Sequence, residues 1–147
     1  MPSKEELLRL ATGRALDGLF AEVDRLQVVG GRAIDRLEHL VRGSVVLLAN
    51  ELPFVTLLLR VRGNTKAERE TLARRREFDH LVAELVAKAA AEGDLRSDID
   101  PAVAARLLFG MVNSLIEWYR PRGAVAADDL AATVVAVAFD GLRVRPP

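Results

Sequence analysis

Two segments near the end of the chain restrict what it can fold into: ARLLFGMVNSLIEWY at 105–119 and LAATVVAVAFDGL at 130–142. Wound as helices, both carry apolar residues on nearly the whole circumference, whereas a terminal surface helix of a small domain keeps a polar half. They need cover on two sides, from the chain's own core and from something else. The economical solution is a twofold dimer in which the last two helices of both subunits form a four-helix bundle. Leu107, Gly110, Met111, Ser114, Leu115, Trp118, Leu130, Val134, Val137, Ala138 and Gly141 are its expected interface. Small residues at Gly110, Ser114, Ala131, Ala132, Ala136 and Ala138 permit close helix approach. The alternative places both helices at the centre of a monomeric bundle.

The rest of the chain also reads as helix. Apolar residues recur at three- and four-residue spacing, and no alternating run lies between turn dipeptides. Six helices are expected. The first runs from Ser3 to about Leu26, with Leu7, Leu8, Leu16, Leu19, Phe20, Val23 and Leu26 on its apolar side and Gly30-Gly31 after it. The second covers about Arg32 to Asn50 and becomes wholly apolar at SVVLLA (44–49), a segment buried on all sides. Pro53 opens a short third helix, PFVTLLLR (53–60), with Gly63-Asn64 after it. The fourth, Lys66 to Glu92, is closed by Gly93; the fifth starts at Asp100-Pro101 and runs to about Tyr119; the last covers about Ala126 to Leu142. Ser3 with Glu6, and Thr65 with Glu68, have capping-box spacing, and Asp100 before Pro101 reads as an N-cap. No internal repeat or long linker divides the 147 residues, so residues 1–147 are expected to form one all-α domain that buries roughly 70% of its unfolded surface.

Acidic and basic residues balance at 21 each, without the basic excess of a dedicated nucleic-acid module. There is no cysteine, which excludes disulfides, thiolate metal sites and cysteine nucleophiles. The N-terminus lacks the pattern of a secretory leader, and the longest apolar stretches are too short to span a bilayer. The expectation is a cytoplasmic protein with no membrane partner.

Catalytic chemistry finds little support. His39 and His80 are the two histidines. Glu77 and His80 have the Glu-x-x-His spacing of helical di-iron sites, but Arg36 precedes His39 at the matching position, so a second copy is missing. No phosphate loop or nucleophile elbow occurs, and Ser44, Ser97 and Ser114 lack a His–acid constellation. The chain is read as no enzyme, with no cofactor and no metal. Arg74-Arg75-Arg76 lies among Glu68, Glu70 and Glu77 and reads as a solvated helix face. Arg106, Gly110, Asn113 and Glu117 share one stripe, either a polar edge or a placement of Asn113 at a cavity wall.

Many large apolar groups sit in the middle helices. Val45, Leu48, Phe54, Leu57, Leu58, Phe78, Leu81, Val82 and Leu85, with Phe109 and Asn113 from the fifth helix, are the candidate lining of an apolar small-molecule pocket. The same residues equally describe a packed core, and periodicity alone favours the core.

Three motifs bear on that choice. PSKEELL at 2–8 resembles the junction after the recognition helix in TetR-family transcriptional repressors. EGDLRSDIDP at 92–101 is similar to the turn before that family's eighth helix. WYRPRG at 118–123, followed by a helix ending FDGL at 139–142, resembles its last two helices. Together they span almost the whole chain in order. The resemblance implies a ligand-sensing and dimerisation domain whose DNA-binding helix-turn-helix head is absent, Met1 standing about where an aromatic residue precedes the motif. It implies a homodimer, a hydrophobic small-molecule effector, and DNA contact only through the missing head. The W-Y-R-P-x-G ending resembles members responding to acyl-CoA thioesters. On that likeness the acyl chain lies among Val45, Leu48, Phe54, Leu58, Phe78 and Val82, with Arg60, Arg62 or Arg74 near the phosphates. The competing expectations are a standalone helical binding or scaffold protein with a filled core, and a helical-bundle metalloprotein using Glu77 and His80.

Overall fold

The computed structural model describes residues 3–144. Met1 and Pro2, with which the first motif begins, lie outside the described residues. The described residues form six α-helices: α1 (Lys4–Val29), α2 (Ala33–Asn50), α3 (Leu52–Arg60), α4 (Lys66–Ala91), α5 (Pro101–Ser114) and α6 (Ala127–Leu142). A 3₁₀ turn, Leu115–Glu117, follows α5. No strand occurs among the described residues, only a single antiparallel bridge between Leu95 and Arg143. No single helix there is long and apolar enough to cross a membrane.

The caps act as their residue types require. The Ser3 hydroxyl accepts from the Glu6 N–H at 3.2 Å, and the Thr65 hydroxyl from that of Glu68 at 3.1 Å. Asp100 Oδ1 accepts from the Ala102 N–H at 2.8 Å, ahead of Pro101, which has no N–H to satisfy. The reciprocal half of the second capping box is different from expectation: the Glu68 carboxylate accepts from the Arg62 N–H at 3.1 Å, so it ties the α3–α4 connection down. Gly93, at φ 88°, closes α4 with a paired C-terminal turn in which the Asp94 N–H reaches the Ala89 carbonyl at 3.1 Å and the Gly93 N–H that of Ala90 at 3.0 Å.

The ends of α1 and α5 differ from the sequence reading. α1 continues past Leu26 to Val29, where Gly30 at φ 75° stops it, and its terminal Val28 and Val29 project into solvent, as does Leu7. α3 ends at Arg60, as the stretch PFVTLLLR predicts. α5 ends at Ser114 instead of Tyr119: the Ser114 hydroxyl turns back to the Met111 carbonyl at 2.6 Å, and the chain tightens into the 3₁₀ turn.

α2 is the axis of the domain, touching α1, α3, α4, α5 and α6. Leu37, Leu40, Val41, Val45 and Leu48 are all at most 2% exposed. α2 and α3 meet at 104° with one residue, Glu51, between them. Glu51 pairs with Arg14 of α1 at 2.8 Å, and Arg14 also covers the Phe54 ring at 4.7 Å. α1 and α4 join through a buried pair of hydroxyls, Thr12 and Thr71, 3.2 Å apart. α6 lies on α2 and is tied at its end: the Arg96 N–H donates to the Leu142 carbonyl at 2.9 Å, the Val144 N–H to that of Asp94 at 3.3 Å, and Arg143 pairs with Glu38.

Candidate functional site

Four helices each contribute residues at i, i+3 and i+4 to one internal cavity: Ser44, Leu47 and Leu48 from α2; Val55, Leu58 and Leu59 from α3; Arg75, Phe78 and Asp79 from α4; Phe109, Val112 and Asn113 from α5. α1 adds Leu16 and Leu19. That spacing puts three side chains of each helix on one face, so five faces enclose a single space. An aromatic run crosses it: Phe78 meets Phe109 edge-on at 5.3 Å and Phe20 at 6.0 Å.

The wall is apolar apart from four side chains. Ser44 is buried, Arg75 and Asn113 are half-buried, and Asp79 reaches the surface. Arg75 Nη1 donates to the Leu58 carbonyl at 3.4 Å. Burial lowers the Arg75 pKa, with Asp79 opposing and Arg62 reinforcing the shift. Desolvation on its inner side raises the Asp79 carboxyl pKa, against Arg75, Arg106 and His80. A cation and a carboxylate thus stand together at the accessible side of the cavity, Arg75 half-buried and Asp79 exposed.

The cavity holds about 50 Å³, room for a few water molecules but well below the ~300 Å³ of an ordinary ligand site. A ligand of ordinary size would have to displace side chains to occupy it. Asp79 and Phe109 also border an outer pocket of about 180 Å³, lined by Arg76, His80, Val82, Ala83, Ala102, Ala105 and Arg106. These two residues form the partition between the inner space and the outer one.

Of the candidate lining, Leu48, Leu58, Phe78, Phe109 and Asn113 stand in the cavity wall. The others lie elsewhere. Val45 is fully buried and packs in the core. Leu57 points outward and is 39% exposed, because on α3 it lies between the inward pair Val55 and Leu58. Phe54 lies under Arg14 at the helix bend. Val82 borders the outer pocket, one α4 turn beyond Phe78. Leu81 and Leu85 line a separate pocket with Arg36, Leu40, Glu84 and Lys88. Arg74 pairs with Asp17 at 2.9 Å and lies 5.3 Å over Phe20, while Arg60 and Arg62 are exposed; Arg75 is the arginine in the wall. Glu77 and His80 are exposed, and no three His, Asp or Glu side chains gather around a metal-sized space among the described residues.

The expected interface divides by helix face. Leu115, Leu130, Val134 and Ala138 are buried against the chain's own core, which corrects their assignment to a partner-facing surface. Leu107 at 69% exposure, Val137 at 63% and Trp118 at 58%, with Gly110, Ser114 and Gly141, face outward, and Met111 is half-buried. A Cβ built at Gly110 or Gly141 would meet nothing within 4 Å. Val103, half-exposed, extends the same stripe along α5.

A family model described as "Tetracyclin repressor-like, C-terminal domain" matches residues 30–142, which include α2 to α6. The chain belongs to the TetR family. A TetR-family transcriptional regulator from Streptomyces coelicolor A3 is 52% identical, with a TM-score of 0.90, over 98% of this chain and 73% of that one. The transcriptional repressor KstR2 of Rhodococcus jostii is 35% identical over 66 residues, which are 45% of this chain and 32% of the repressor. The chain thus matches about a third of that curated relative's length. AibR in complex with isovaleryl coenzyme A and operator DNA has the same fold at 24% identity and a TM-score of 0.78, over 93% of this chain and 75% of that one. The TetR relatives are regulators, and the cavity lining apart from Leu16 and Leu19 falls within the residues that the C-terminal-domain model matches.

Proposed function

We propose that residues 1–147 act as the effector-sensing and dimerising unit of a TetR-type repressor, with an acyl-CoA-type thioester as effector. The cavity carries this reading: five helices converge on an apolar space whose polar side chains, Arg75, Asp79 and Asn113, collect at its accessible side. A short acyl group matches the apolar lining once side chains move aside for it, and a carbonyl or thioester oxygen matches the donors Arg75 and Asn113. AibR, of the same fold, is in complex with isovaleryl coenzyme A, a thioester whose acyl part is short and branched. The outward stripe through Leu107, Trp118 and Val137 supports a homodimer, since an exposed apolar patch of this kind is covered in a stable protein. DNA contact belongs to a helix-turn-helix head in an intact regulator. There the effector acts by preferring the conformation in which the spacing of two heads mismatches half-sites about one helical turn apart.

Calorimetric titration with isovaleryl-CoA, octanoyl-CoA and free coenzyme A, alongside sedimentation, tests both parts. The expected result is a dimer that binds the acylated forms at least about tenfold tighter than free coenzyme A, each tenfold step corresponding to ~1.4 kcal/mol. Equal affinity for all three would remove the cavity from the reading, and a monomer at tens of micromolar would remove the interface.

A further inference from the structure

Serine inside a helix ordinarily returns its hydroxyl to the carbonyl four residues back or turns it to water. Ser44 does neither. It is 3% exposed, lies in the cavity wall, and its Oγ has no hydrogen-bond partner among the described residues. The same interior does satisfy hydroxyls elsewhere. Thr12 donates to the Leu8 carbonyl at 2.8 Å, Thr71 to the Ala67 carbonyl at 3.0 Å, and the two hydroxyls meet at 3.2 Å. An enclosed, unpaired hydroxyl is a standing free-energy cost, and alanine at position 44 would avoid it with no loss of any contact the chain itself makes through oxygen.

The neighbours contributed by α1 and α2, Leu16, Leu19, Leu47 and Leu48, offer no polar side-chain atom. Arg75, Asp79 and Asn113 are all more accessible than Ser44. The cavity thus has a polar mouth, an apolar middle and one hydroxyl at depth.

We infer that Ser44 is a specificity-determining residue whose hydroxyl pairs with an oxygen on the buried, otherwise apolar part of the effector. The effector class is an acyl group bearing a ketone or hydroxyl remote from its thioester, as opposed to an unbroken alkyl chain. This rests on the reading of the cavity as the effector site. A pocket group that hydrogen-bonds a ligand oxygen selects against the analogue lacking it, because that analogue leaves the group buried and unpaired.

Two measurements on the full chain test it. Thermal unfolding compares the unliganded protein with Ser44→Ala, and calorimetry compares octanoyl-CoA with its 5-, 6- and 7-oxo derivatives on both. The variant is expected to melt no lower than the parent. The parent is expected to bind at least one oxo derivative about tenfold tighter than octanoyl-CoA, and the variant to lose that preference while holding octanoyl-CoA within about threefold. A lower melting temperature for the unliganded variant would show that the hydroxyl has a partner within the fold, and would overturn the assignment. A preference that survives in Ser44→Ala overturns it as well, as does octanoyl-CoA binding with no oxo preference. In that last case the effector reading stands and only Ser44 falls. If the parent binds none of the thioesters, both fall together.

Discussion

SVVLLA at 44–49 in α2 and TVVAVA at 133–138 in α6 are close in composition, yet every residue of the first is at least half-buried and Thr133, Ala136 and Val137 of the second lie in solvent. The difference is in their neighbours. α2 is surrounded by five other helices, whereas α6 has α2 along one side and little along the other. An apolar circumference therefore states a demand for cover without naming its source. In α2 the chain meets that demand itself; in α6 a second copy is the proposed cover.

Substitutions at the two places should separate these cases. Leu37, fully buried in α2, gives the largest effect: Leu37→Ala is expected to lower unfolding stability by about 2–5 kcal/mol in urea titrations, in proportion to how poorly the site collapses. Val137→Arg on α6 should leave the subunit's own stability within about 0.5 kcal/mol but raise the dimer dissociation constant at least about 100-fold, read by sedimentation equilibrium. A loss of subunit stability as large as that of Leu37→Ala would mean that the outward face of α6 is covered within one chain, and would erase the distinction.

Smaller effects come from titratable groups beside the two regions. The folded-state pKa of Asp79 at the cavity mouth lies above its ordinary value of 3.8 because of desolvation. The folded state therefore holds its proton more tightly. Its contribution is most favourable below pH 3.8 and declines as pH rises through the folded value. Asp79→Asn should then raise the melting temperature at pH 7 by about 2 °C, an advantage that shrinks on acidification. Asp98, beside the far end of α6, has the opposite sign. Its hydrogen bonds from Arg96 hold its pKa at about 2, against an ordinary 3.8. Its contribution is present above pH 3.8 and lost as pH falls through 2. Asp98→Asn should lower the midpoint at pH 7 by about 1 °C or less, as expected of an exposed pair, with the deficit closing between those two pH values.

Much of the architecture could be read from local chemistry. Ser3, Thr65 and Asp100 announce helix starts, and Gly30 and Gly93 announce ends, because each satisfies orphan backbone groups or adopts a positive φ that its neighbours avoid. The cavity was only partly legible. Leu48, Leu58, Phe78, Phe109 and Asn113 reach it, but Val45 and Leu81 have the same apolar character and differ only by a rotation about the helix axis, which a list of large side chains does not encode. A signal did exist in the repeated i, i+3, i+4 triplets, such as 75, 78 and 79, which place Arg75 beside Phe78. The run Arg74-Arg75-Arg76 concealed it, since three adjacent arginines read as one surface while the helix sends them in three directions: Arg74 to Asp17, Arg75 inward and Arg76 to the outer pocket. The outward and inward halves of α6 were merged for the same reason.

The attachments of α6 have a mechanical consequence. Its C-terminal end is moored to residues 94–96 and to Glu38, while at the other end Ala126 provides no side-chain cap, and the preceding loop is held by a 3.4 Å bond from the Tyr119 hydroxyl to the Val125 carbonyl. Leu130, Ala131 and Val134 hold that end by packing alone, so a tilt of the helix would pivot about its moored end. For its 16 residues, about 24 Å long at 1.5 Å per residue, a tilt of about 5° carries the loose end roughly 2 Å and the moored end almost nowhere. Any repacking of α2 around the cavity would therefore be felt on the outward face of α6 unequally, with the greatest travel beside Ala127 and least beside Gly141.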